Sequence, residues 1–76
     1  MIKVKYFGML TEITHCSEEQ LAFSGTTVEE LLKVIVTKHP GLKSLNFQVA
    51  QNNDIVDLTA KVNADLIALL PPFAGG

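Results

Sequence analysis

Between residues 27 and 38 the sequence allows one substantial helix and marks both of its ends. Thr26 and Thr27 are each followed three residues later by a glutamate, Glu29 and Glu30. Either pair predicts a capping box, in which hydroxyl and carboxylate satisfy backbone N–H groups that open a helix. Val28, Leu31, Leu32 and Ile35 then fall at i, i+3, i+4 and i+7, one apolar stripe. Lys38 suits the negative end of the helix dipole. Pro40 and Gly41 stop the run, because the residue before a proline is forced out of helical geometry. A chain of 76 residues buries only about 60% of its unfolded surface, so this one stripe must be covered by the rest of the chain.

The rest of the chain mostly alternates. Over 2–7, Ile2, Val4 and Tyr6 share one face, and Lys3, Lys5 and Phe7 the other, which predicts a strand ended by Gly8. Leu10, Ile13 and Thr14 predict a short helical turn. A short strand over 20–23 points Leu21 and Phe23 inward, turns at Ser24-Gly25 and pairs antiparallel with the first. Leu45, Phe47 and Val49 alternate with Asn46, Gln48 and Ala50, a half-buried strand. Asn52, Asn53 and Asp54 supply a turn, since Asn and Asp tolerate positive φ. Ile55 and Val56 form a short strand, and 66–70 the last one. The expected architecture is a two-layer α+β domain over 1–70, followed by an extended tail over 71–76. Leu31, Leu32 and Ile35 should pack on the sheet with Phe47 and Val49, and the first and last strands should lie side by side in parallel.

Composition narrows the function. With 47% hydrophobic and 18% charged residues, the chain has the material for a core. A net charge of −2, with the basic residues scattered, gives no footprint for nucleic acid or an anionic membrane surface. No signal-peptide pattern or membrane-length apolar run appears. The single cysteine, Cys16, excludes an internal disulfide and fits a reducing, cytoplasmic location. His15, Cys16 and the distant His39 do not make a metal-ligand set. Cys16 has no identifiable base partner, and Asp54 and Asp57 form no evident acid–base pair. No glycine-rich phosphate loop is present, so no bound cofactor is expected and any nucleotide belongs to a partner.

Two features remain. The last strand is apolar on both sides, with Ile67 and Leu69 on one and Leu66, Ala68 and Leu70 on the other. One helix covers one side only. If the first and last strands are neighbours, Phe7 and Leu70 form an exposed patch edged by lysines, the kind of surface that meets a partner. The second feature is the end, LLPPFAGG. Leu70 is held extended by the following proline, and Pro71-Pro72 form a stiff stalk outside the ladder. Phe73 offers an anchor, while Gly75 and Gly76 are thin enough for another backbone to close around them. The arm delivers one α-carboxylate, an electrophile only after activation, for instance by adenylation. On this reading the chain is a substrate for activation rather than a catalyst.

These segments together carry a resemblance over nearly the whole chain. IKVKYFGMLTEIT, TTVEELL and ALLPPFAGG resemble the opening strand and short helix, the helix start and the closing signature of the MoaD-like sulfur carriers. That family supplies the small subunits of molybdopterin synthase and belongs to the ubiquitin-like β-grasp superfamily. The resemblance implies a mixed sheet with one main helix and a flexible C-terminal tail. It implies that an ATP-dependent activating enzyme adenylates Gly76, that sulfur transfer then gives a thiocarboxylate, and that ATP is used by that partner. The charged carrier docks on the large synthase subunit as a non-catalytic sulfur donor and supplies sulfur for the dithiolene of molybdopterin. Gly76 carries over as the modified residue and Gly75 as its neighbour in the partner's tunnel. Phe7, Leu70, Pro71, Pro72, Phe73 and Ala74 carry over as partner-binding residues. Two departures stand out: Lys61 to Asp65 lacks the glycine common in the family, and Leu66 stands where a charged residue is common. Sulfur carriage for thiamine or tRNA thiolation, conjugation to lysines like ubiquitin, and a plain binding module are the alternatives.

Overall fold

The computed structural model describes residues 1–72. Strand β1, Ile2–Tyr6, buries Ile2, Val4 and Tyr6 and leaves Lys3 and Lys5 half-buried on its other side. A left-handed Gly8 then leads the chain into a short helix α1, Leu10–Thr14, which sends Leu10 into the core. Strand β2, Glu18–Leu21, returns antiparallel to β1 with Lys5 opposite Glu18 and Ile2 opposite Leu21. It lies two residues earlier than the alternation predicts. β1 begins at Ile2, so Leu21 is the last residue with a partner, and Phe23 runs beyond the ladder to pack half-buried against the core.

Helix α2 spans Val28–Lys38. Of the two possible capping boxes, the Thr27–Glu30 pair forms: the Thr27 hydroxyl accepts the Glu30 N–H at 3.3 Å, and the Glu30 carboxylate accepts the Thr27 N–H at 2.9 Å. Two more opening N–H groups go to a loop ahead of the last strand, Val28 to the Ala60 carbonyl at 2.9 Å and Glu29 to the Leu58 carbonyl at 3.0 Å. Val28, Leu31 and Ile35 are fully buried. Leu32 packs against the same core as expected, but from the shoulder of the stripe and only half-buried. The helix ends at Lys38, and Pro40 opens a 3-10 helix, Pro40–Ser44, whose Leu42 is fully buried.

Strand β3, Gln48–Gln51, and strand β4, Asp54–Val56, form a hairpin. Its two-residue turn is Asn52-Asn53 with φ of 52° and 67°, the geometry a tight hairpin demands. Leu45 and Phe47 alternate in burial as expected but stand outside β3. The Leu45 N–H is committed to the Leu42 carbonyl at 3.1 Å, so the ladder starts later, and Phe47 is half-buried rather than buried. Strand β5, Leu66–Leu70, runs parallel to β1 and antiparallel to β3. The sheet order is β2-β1-β5-β3-β4. Buried Gln51 ties the sheet to the segment before β5, donating to the Lys61 carbonyl at 2.8 Å and accepting the Asn63 N–H at 3.2 Å. With α2 across one face of this mixed sheet, the fold is the expected β-grasp, and among the described residues no helix covers the opposite, bare face.

Candidate functional site

The strand registers fix what the bare face presents. One row crosses the whole sheet: Glu18, Lys5, Ala68, Ala50, Ile55. A second runs Gln20, Lys3, Leu66, and a third pairs Leu70 with Gln48. The β2 side is charged, and Lys3 lies 3.4 Å from the Glu18 carboxylate. The centre and the β4 side are apolar, with Leu66 39% and Ile55 56% exposed. Three alanines, Ala50, Ala64 and Ala68, lie with Leu66 in a shallow depression of about 270 Å³ rimmed by Asn52 and Asn53.

At the other end of β5 the tail leaves the sheet. Tyr6 is opposite Leu69, and the Phe7 N–H donates to the Leu69 carbonyl at 3.2 Å, so one further step sets Phe7 beside Leu70. Phe7 is 42% exposed and Leu70 half-buried. A Cβ on Gly8 would stand 2.6 Å from Pro71 Cγ, so the proline ring rests on bare backbone where Gly8 holds φ +60°. The exit direction of the tail is thus set by the turn between β1 and α1. The structure brings together Phe7, Leu70 and Pro71, with exposed Pro72 following. Phe73, Ala74, Gly75 and Gly76 lie outside the described residues.

The largest cluster of titratable groups lies elsewhere. Glu19 Oε2 accepts the Tyr6 hydroxyl at 2.5 Å and stands 2.6 Å from His39 Nε2, while its Oε1 is 2.7 Å from Lys38 Nζ. The Tyr6 and His39 rings meet edge to face at 5.8 Å. Burial by itself would raise the Glu19 carboxyl, but bonds from Lys38, Tyr6 and His39 hold it down at about 2. Burial, and then the bond to Glu19, pushes the Tyr6 hydroxyl far above its ordinary value. Both Glu19 oxygens are engaged, so the carboxylate ties β1, β2 and the end of α2 together. Sequence reasoning missed it. The available signal was Glu19, which shares a face with Leu21 and so puts a charge on the core side.

Among the described residues, no group of three or more His, Cys, Asp and Glu side chains is placed to hold a metal ion. No described helix is long and apolar enough to cross a membrane. What remains is an apolar face leading into Pro71 and exposed Pro72. The sequence matches the ThiS family over residues 4–76. The chain belongs to the ThiS family. A molybdopterin synthase sulfur carrier subunit from Chlamydomonas reinhardtii is 33% identical over 81 residues, which cover 99% of this chain and 98% of that one. The crystal structure of SAMP1 from Haloferax volcanii superposes with a TM-score of 0.82 at 26% identity, covering 99% of this chain and 98% of that one. The fold is also that of a putative molybdopterin converting factor, subunit 1, from Pyrococcus furiosus, with a TM-score of 0.86 at 23% identity over 95% of this chain and 97% of that one. This ThiS-family chain is a ubiquitin-like protein of the sulfur-carrier type.

Proposed function

We propose that the chain carries sulfur on its C-terminal carboxylate and donates it as the small subunit of a molybdopterin synthase. The observation that carries this reading is the continuity of the bare apolar face with the tail base: β5 runs from Leu66 to Leu70 and straight into Pro71-Pro72. A partner seated on that face lies beside the base of the tail, where Pro71 rests on Gly8. The likeness to a molybdopterin synthase sulfur carrier subunit supports the choice of pathway.

The chemistry starts at Gly76. Its carboxylate attacks the α-phosphate of ATP on an activating enzyme, releasing pyrophosphate and leaving an acyl-adenylate. A sulfide-level sulfur nucleophile displaces AMP, so that a C–S bond replaces the C–O bond and the product is a thiocarboxylate. The large synthase subunit takes the sulfur for a dithiolene, and hydrolysis returns the carboxylate. Phe7 and Leu70 dock the body, Pro71 and Pro72 aim the arm, Phe73 and Ala74 line the partner's channel, and Gly75 passes its narrowest point. The chain itself binds no cofactor. The test is ATP–pyrophosphate exchange by the activating enzyme. Deleting Gly76 should leave the fold intact by circular dichroism and drop exchange to background. Undiminished exchange without Gly76 would place the chemistry elsewhere.

A further inference from the structure

The helix side of the molecule holds a second apolar surface, facing away from the bare sheet. Leu32 and Val36 are half-buried on the shoulder of α2, and Leu58 stands 47% exposed across from them. Together with Glu29, Lys33, Thr37 and Lys43 they line a shallow, open groove of about 800 Å³. From Glu29 to Thr37 it follows the helix for roughly 12 Å.

Its outer wall is held rigidly. The Leu58 carbonyl accepts the Glu29 N–H at 3.0 Å and the Ala60 carbonyl accepts the Val28 N–H at 2.9 Å. Asp57 Oδ1 accepts both the Thr59 N–H at 2.9 Å and the Thr59 hydroxyl at 2.6 Å. Leu58 is therefore fixed in an exposed position by its own backbone, and a ligand there finds the site already formed.

Charge identifies the occupant. Lys33 and Lys43 flank the apolar floor, and among the described residues neither has a carboxylate within ion-pair distance. Glu29 is the one acid on the lining. A second copy fits poorly, because two-fold pairing brings two linings together that each carry two lysines against one glutamate, and the sheet face opposite is itself edged by Lys3 and Lys5. We propose that the groove is a second docking site, for an acidic segment of a partner protein. Apolar side chains of that segment seat among Leu32, Val36 and Leu58, and its carboxylates meet Lys33 and Lys43. With the two sites on opposite layers, a partner held here leaves the sheet face open.

The probe is a synthetic amphipathic peptide of about a dozen residues, with two leucines four apart and flanking glutamates, blocked at both ends. It is titrated into the full isotope-labelled chain and followed by amide and methyl shifts. The expected result is saturable shifts at Leu32, Lys33, Val36, Lys43 and Leu58, weakening as salt is raised. Leu58→Asp and Lys33→Glu should each lower affinity about tenfold or more while leaving the rest of the spectrum in place. Three results overturn the proposal: no saturable shifts, shifts centred on Leu66 and Ala68 instead, or equal binding of a peptide with lysines in place of the glutamates.

Discussion

Glu19 shows how much one side chain decides here. It sits on the core side of the edge strand β2, where an unpaired carboxylate is costly, and it survives there because Lys38, Tyr6 and His39 all converge on it. Removing it by Glu19→Ala strands the Tyr6 hydroxyl and should cost about 1–3 kcal/mol in urea unfolding. The same residue gives the fold an acid limit. Its carboxyl titrates near 2 when folded, against an ordinary 4.5. The unfolded chain therefore binds more protons in that window, so the stabilisation is complete above pH 4.5 and is lost as pH falls toward 2. Glu30 and Asp57, held low by bonds from Thr27 and Thr59 respectively, add to the same trend. The expected outcome is a stability–pH curve that falls below pH 4.5 and falls less in Glu19→Gln, whose difference from the parent shrinks as the pH drops.

At the level of elements, α2 was legible to its ends, because capping and periodicity are local chemistry. What periodicity could not fix was which members of the stripe reach the centre of the sheet. Leu31 is fully buried and Leu32 is on the shoulder. Leu31→Ala should cost roughly 2–5 kcal/mol by opening a cavity, and Leu32→Ala clearly less, both read from denaturant midpoints. Equal losses would mean that the stripe is centred elsewhere. Thr27→Ala, which breaks the capping box, should cost about 1 kcal/mol, and Thr26→Ala less, since Thr26 contributes only its N–H to the Glu30 carboxylate. The strand bounds were harder to read for a non-local reason. β2 is as long as its overlap with β1, and the unanticipated 3-10 helix over Pro40–Ser44 takes the Leu45 N–H, so that β3 starts only at Gln48.

The whole molecule is a two-sided object, and its candidate face was legible because it contradicts the fold: β5 is apolar on a face that no described helix covers. Phe7 could be assigned to that face from its lysine neighbours alone. Glu19 on the core side signalled a buried charge, but its partners Tyr6, Lys38 and His39, like the rest of Pro71 on Gly8, were not legible, because they join elements through tertiary contact. Phe7→Ala should weaken binding to both the activating enzyme and the large synthase subunit by about 2 kcal/mol if Phe7 is an anchor. Being exposed, it should change folding stability by less than about 1 kcal/mol. Titration calorimetry with each proposed partner checks both affinities, and the proposal that both use this face predicts competition between them. The sulfur-carrier reading itself rests on what happens at Gly76, and intact-protein mass spectrometry reads that without intermediaries. After incubation with the activating enzyme, ATP and a sulfur donor, the chain should gain the mass difference of one sulfur for one oxygen, localised to the C-terminal peptide. An unmodified chain, alongside a control carrier that the same enzyme does convert, would contradict the account.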